Sequence, residues 1–242
     1  MIANTNAKDI ISAFLPLSGL IYGYLMVITP NAAAKRVYKF DDKVIKSPVI
    51  ELVVANGTAT LSLALAELLL SFTDINSNTA IAIATFPRVA FLIYNIASKT
   101  TLAKLFFQQH NMFKILVATS LIEGGWLEPT LSMQVKGALY LILGGLFTVF
   151  PNFVIKRSTQ FDANTTIERC FRARGKMDLV FGTLVFNLAT KPYLESLGYA
   201  CTAWFLASLY GDFLVSSEGR FRSDAFVQLA IASSSAFVLL AA

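Results

Sequence analysis

Charge is what this sequence has least of. Only 14% of its 242 residues are Asp, Glu, Lys or Arg, against about 25% in ordinary water-soluble domains. Histidine occurs once, as His110. A single imidazole excludes bis-histidine haem ligation and any histidine-rich metal centre. Cys170 and Cys201 are the two cysteines, too few for a disulfide framework or a cysteine-based metal site. The chain has no phosphate-cradling Gly-x-x-x-x-Gly-Lys-Ser/Thr, no Gly-x-Ser-x-Gly nucleophile elbow and no His-Glu-x-x-His. No enzyme activity, metal, cofactor or nucleic-acid partner is therefore expected.

Apolar residues fill the space that charge leaves. They make up 55% of the chain, and the mean hydropathy is +0.61. The charges cluster and leave apolar blocks, at 11–29, 49–73, 79–98, 111–127, 133–150, 175–190, 196–214 and 225–241. A helix needs about 20 apolar residues to cross a bilayer. The blocks are long, continuous and rich in Leu and Ala, which excludes the ten-residue alternation of a membrane β-barrel. The expected fold is all-α, a polytopic transmembrane bundle of about eight helices. The block at 111–127 is the weakest, since its clean apolar run extends only from Ile115 to Ile122.

An internal repeat sets the expected architecture. Residues 23–41 recur as residues 144–162, an offset of 121. Eight of the nineteen positions are identical: Gly23/Gly144, Leu25/Leu146, Pro30/Pro151, Asn31/Asn152, Lys35/Lys156, Arg36/Arg157, Phe40/Phe161 and Asp41/Asp162. Chance gives about one. The repeat divides the chain into four-helix units at 1–127 and 128–242. It also makes the first apolar block a structural helix, not a cleaved leader. Beyond it, Asn56-Gly57-Thr58 aligns with Phe181-Gly182-Thr183 at an offset of 125, which lengthens the first loop of the second unit by about four residues.

Basic residues supply an independent test of topology. Sixteen of the twenty lie on or beside the loops after blocks one, three, five and seven, among them Lys35, Arg36, Lys156, Arg157, Arg169, Arg172, Arg174 and Lys176. Only Lys8, Lys136 and Lys191 fall to the other side, and Arg88 sits inside a block. Basic loops stay cytoplasmic or in an equivalent compartment. Both termini should thus be non-cytoplasmic, with the two units parallel and related by an axis along the membrane normal. Which membrane holds the chain is left open.

Four features carry the candidate chemistry. The Pro-Asn-x-x-x-Lys-Arg element stops a helix and anchors it at the interface. Its Lys35, Arg36, Lys156 and Arg157, with Arg169, Arg172, Arg174 and Lys176, form a candidate surface for anionic lipid headgroups or an acidic partner. Gly19-Leu-Ile-Tyr-Gly23 allows close helix approach. Glu67 and Arg88 are read as the deepest charges. An unpaired charge at mid-membrane costs on the order of 3 kcal/mol, so the two are expected to pair across neighbouring helices. Asp212 is expected to face Arg220 or Arg222. Asn164-Thr-Thr166 matches a glycosylation sequon but falls on the basic side.

The pattern Gly23…Pro30 and Gly144…Pro151, followed by Ala55-Asn56-Gly57-Thr58-Ala59 and Gly182-Thr183, resembles the DoxX-like group of four-helix membrane proteins. The resemblance covers about a third of each unit. It implies a four-helix unit and carries no functional residue over. Taken together, the sequence points to a non-catalytic scaffold or accessory subunit of a larger membrane assembly, in contact with the bilayer, anionic lipids and other membrane proteins. A small-molecule or lipid transporter with its site at Glu67 and Arg88 is the alternative.

Overall fold

A computed structural model describes residues 2–98, 100, 129–159, 164–214 and 223–241. Among these the fold is entirely helical. The elements are α1 (Ile2–Ile28), α2 (Pro30–Arg36), α3 (Ser47–Phe72), α4 (Ser77–Ser98), α5 (Pro129–Val149), α6 (Pro151–Ser158), α7 (Thr165–Leu188), α8 (Tyr193–Ser208) and α9 (Ser223–Leu240). A π-type turn at Leu209–Leu214 extends α8. Block 111–127, His110, and the Arg220 and Arg222 expected to face Asp212 lie outside the described residues.

Among the described residues, three helices are long and apolar enough to cross a membrane: Ala7–Ile28, Pro48–Phe72 and Pro129–Val149. Ala225–Leu240 is apolar but shorter. These helices mark a membrane protein. Their outward faces agree: Ile10, Phe14, Leu17, Ile21, Tyr24 and Ile28 of α1 are all more than half exposed. Such a stripe in water would be an aggregation hazard.

Helix ends follow local chemistry. Proline begins α2 and α6, where its missing N–H is no loss. Asn164 caps α7, its side chain accepting a bond from the Ile167 N–H at 3.0 Å. This helix starts ten residues before the apolar block that predicted it. The basic stretch Arg169–Lys176 joins the helix because its charges pair one turn apart, Glu168 with Arg172 and Arg174 with Asp178.

The two central helices are α3 and α7, which pack on each other. Around α3 lie α1, α2 and α4; around α7 lie α5, α6 and α8. α9 packs on α8 and touches α1. Lys8 Nζ donates to the Ala241 carbonyl at 3.0 Å, so the two chain ends lie together. Two apolar cores form. One joins Leu15, Ala66 and Ile81 to Tyr140, Phe181, Leu184 and Leu197. The other joins Met26, Ala34, Tyr38 and Val53 to Ile155, Ile167 and Phe171. Each draws on residues from both sides of position 128.

Glycines set the closest helix approaches. A Cβ on Gly23 would lie 2.9 Å from the Leu61 nitrogen, and one on Gly57 would lie 3.0 Å from the Gly23 carbonyl oxygen. The corresponding distances are 2.6 Å from Gly144 to the Leu179 nitrogen and 2.7 Å from Gly175 to the Gly144 oxygen. Gly175, not Gly182, therefore faces Gly144. This corrects the alignment drawn from Gly182-Thr183. The connection from the first glycine to its partner is 34 residues in one case and 31 in the other, so the second loop is shorter, not longer. Gly182 instead meets Gly137, Tyr140 and Leu141, one to two turns before Gly144 in α5.

Candidate functional site

Polar side chains gather where α4, α5 and α7 meet. Arg88, eleven residues into α4, is 3% exposed. Its Nη1 donates to Asp178 Oδ1 of α7 at 2.6 Å. Asp178 is also buried, and its other oxygen accepts from Arg174 Nε at 2.9 Å. Arg174 Nη1 continues to the Ala55 carbonyl of α3 at 2.9 Å. The Arg88 guanidinium lies 4.7 Å from the ring centroids of both Tyr140 and Phe181, which meet edge to face at 5.0 Å. The rings' negative faces stabilise a cation. Arg88, Tyr140 and Asp178 each lie within two residues of the middle of their helix.

This arrangement corrects the expected Glu67–Arg88 pair. Glu67 is buried, and among the described residues no hydrogen bond or ion pair reaches its carboxylate. It lies five residues from the end of α3. At 1.5 Å per residue the two charges differ in height by about 9 Å, because α3 ends at Phe72 and α4 begins at Ser77, two residues before the expected block. Glu67 sits instead beside Tyr193, whose hydroxyl donates to the Glu67 backbone carbonyl at 3.3 Å. Ser71 donates to that same hydroxyl at 2.9 Å. Asp178 escaped the sequence reading because it stands only three residues into an apolar block. The signal was its i+4 spacing from Arg174.

The basic residues divide in two. Lys35, Arg36, Lys156 and Arg157 are exposed at the ends of α2 and α6, with Lys35 reaching Asp42 at 2.6 Å. Opposite them, Ala33 and Ala34 are buried on α2, and Val154 and Ile155 on α6. The two short helices share their entry geometry as well: Thr29 and Phe150 precede them at φ −125°, ψ 58° and φ −121°, ψ 48°. The other four basic residues, expected to face headgroups or a partner, turn inward. Arg169 donates to the Tyr38 carbonyl at 2.9 Å and lies 5.1 Å from the Phe40 ring. Arg172 pairs with Glu168, Arg174 with Asp178, and Lys176 donates to Gln228 of α9 at 3.1 Å.

The same end of the molecule holds a second polar crossing. Asn56 Nδ2 donates to the Tyr38 hydroxyl at 2.7 Å and to the Cys170 carbonyl at 3.1 Å. Burial raises the Tyr38 hydroxyl pKa and pushes the Cys170 thiol up to about 12, against the smaller opposing effect of Arg169. A thiol held protonated and buried is a poor nucleophile. Lys39, between the buried Tyr38 and Phe40, adopts the left-handed backbone at φ 54°. That conformation lets both neighbours turn inward, their rings stacked at 5.3 Å.

Among the described residues, no group of three or more His, Cys, Asp or Glu side chains is placed to hold a metal. No family model, no curated protein and no solved structure matches the chain.

Proposed function

We propose that this chain is a multi-pass membrane protein that serves as a non-catalytic scaffold, an accessory subunit of a larger membrane assembly. One observation carries the reading: the division of its basic residues. Of the inward set, Arg169, Arg174 and Lys176 tie α7 to other segments of the chain, while the outward set presents the same Lys-Arg pair twice, on two short helices with the same buried face. A surface displayed in duplicate above a rigid bundle suits docking to an acidic face of a partner.

The two-unit architecture belongs to this proposal. It is supported by the matched entry geometry of α2 and α6 and by the paired glycine contacts at Gly23 and Gly144. The parallel pairing of α3 with α7 supports it too, as does the crossing of Asn56 to Cys170 and Arg174 to Ala55 near one axis. Chain ends that lie together favour an even number of crossings. The positive-inside rule then puts α2 and α6 on the cytoplasmic or equivalent side and both termini opposite. Against the transporter reading stands the separation of Glu67 from Arg88, which do not share a site.

The test is extraction in mild detergent, followed by native mass and identification of co-purifying proteins. The wild-type chain should travel in a large particle with reproducible partners. Reversing charge at Lys35, Arg36, Lys156 and Arg157 should release those partners while the isolated protein keeps its melting temperature. Retention of the same partners by the reversed variant would reject the docking surface.

A further inference from the structure

The guanidinium of Arg88 has two hydrogen-bonding edges, and among the described residues only one makes a well-formed hydrogen bond. Nη1 donates to Asp178. Nε and Nη2, which form the side-on fork of the group, are buried and have no well-formed hydrogen bond among the described residues. The hydroxyl of Tyr140, whose ring the guanidinium stacks against, is also buried; it lies beside Arg88 but makes no well-formed hydrogen bond among the described residues. A buried donor left unpaired is costly, more so when charged. The charge is unbalanced too. Two guanidinium groups, Arg88 and Arg174, share the single carboxylate of Asp178. Arg174 is partly exposed at 23%, whereas Arg88 and Asp178 are at 3%.

We infer that the Nε–Nη2 edge of Arg88, with the Tyr140 hydroxyl beside it, is a binding site for one carboxylate. The fork of a guanidinium matches the two oxygens of a carboxylate or phosphate in parallel hydrogen bonds. Two facts favour the carboxylate. A single negative charge balances the single excess positive one. The guanidinium is flanked by the aromatic rings of Tyr140 and Phe181, which suit a group carrying an apolar tail better than a doubly charged, strongly hydrated phosphate. The carboxylate comes either from a fatty acid of the bilayer or from a small acid dissolved in water. The site does not depend on the scaffold reading, since it lies within one chain and asks nothing of a partner.

The test uses the purified, delipidated full-length protein in an uncharged detergent. Its melting temperature is followed while sodium acetate, sodium decanoate or sodium chloride is added at constant ionic strength. Saturable stabilisation by a carboxylate but not by chloride is the expected result. Response to acetate and decanoate alike assigns a water-borne acid; response to decanoate alone assigns a fatty acid of the bilayer. Tyr140→Phe, which keeps the ring packing, should weaken the apparent affinity about tenfold, the worth of one hydrogen bond to a charged group. Arg88→Lys keeps the charge but loses the fork and should abolish the response. Indifference to all three salts, or the same response in Tyr140→Phe as in wild type, would overturn the site and leave water as the occupant.

Discussion

At the scale of single residues, the buried charges decide how the molecule holds together. Asp178 accepts from both Arg88 and Arg174, so it stands at the centre of the cluster. Removing one partner of a buried pair leaves a stranded charge and typically costs about 3–5 kcal/mol. Asp178→Asn and Arg88→Leu should each lower stability by that order in chemical or thermal unfolding. Glu67→Gln should leave stability unchanged or slightly raised, because among the described residues Glu67 has no ionic partner to lose. Were Glu67→Gln as damaging as Asp178→Asn, the pairing read from the sequence would return. The sequence did reveal that Arg88 needs a partner, since charge in an apolar block is expensive. It could not reveal which one. Depth along a helix can be read by counting residues, but rotation about the axis and the approach of α7 depend on packing across ninety positions. Cys170 and Cys201 are both buried, and a water-soluble maleimide should label neither until the protein is denatured. Rapid labelling of the native protein would contradict the packing of α7 and α8.

At the scale of elements, glycine positions act as a register for helix packing. Gly144 and Gly145 are adjacent in sequence and opposite in environment. A Cβ on Gly144 would strike the backbone of α7, while one on Gly145 meets nothing within 4 Å. Gly144→Ala should cost about 1–3 kcal/mol, the range for overpacking. Gly145→Ala should be neutral, or slightly stabilising through helix propensity. Equal effects at the two positions would contradict the α5–α7 interface. Existence and type of the long described helices were legible from the apolar blocks, because length and composition dictate them, whereas the short α2 and α6 lie outside those blocks. Their starts were less so. The early start of α7 came from charge pairs at helical spacing inside a stretch that hydropathy alone reads as a loop. The glycine contact between α5 and α7 was misread for a related reason. Gly182-Thr183 resembles Gly57-Thr58 in sequence, yet Gly175 occupies the contact, since only a residue without a side chain fits beneath the Gly144 carbonyl.

At the scale of the whole molecule, helices fit for a membrane surround a cross-linked interior, and one end displays basic residues in duplicate. The interior polar groups join segments distant in sequence: Arg88 to Asp178, Asn56 to Cys170, Arg169 to Tyr38 and Ser71 to Tyr193. Such links suit rigidity more than a moving pathway. The basic surface was legible as a one-sided excess of charge, but its division into inward and outward sets was not, because sequence does not say which arginine of a helix turns inside. The central claim is that this rigid body works as a subunit of something larger. The most direct test is its native mass after mild detergent extraction, with identification of everything that travels with it. A large particle carrying the same partner proteins in every preparation is the predicted result. A monomer or homodimer accompanied by lipid alone would contradict it.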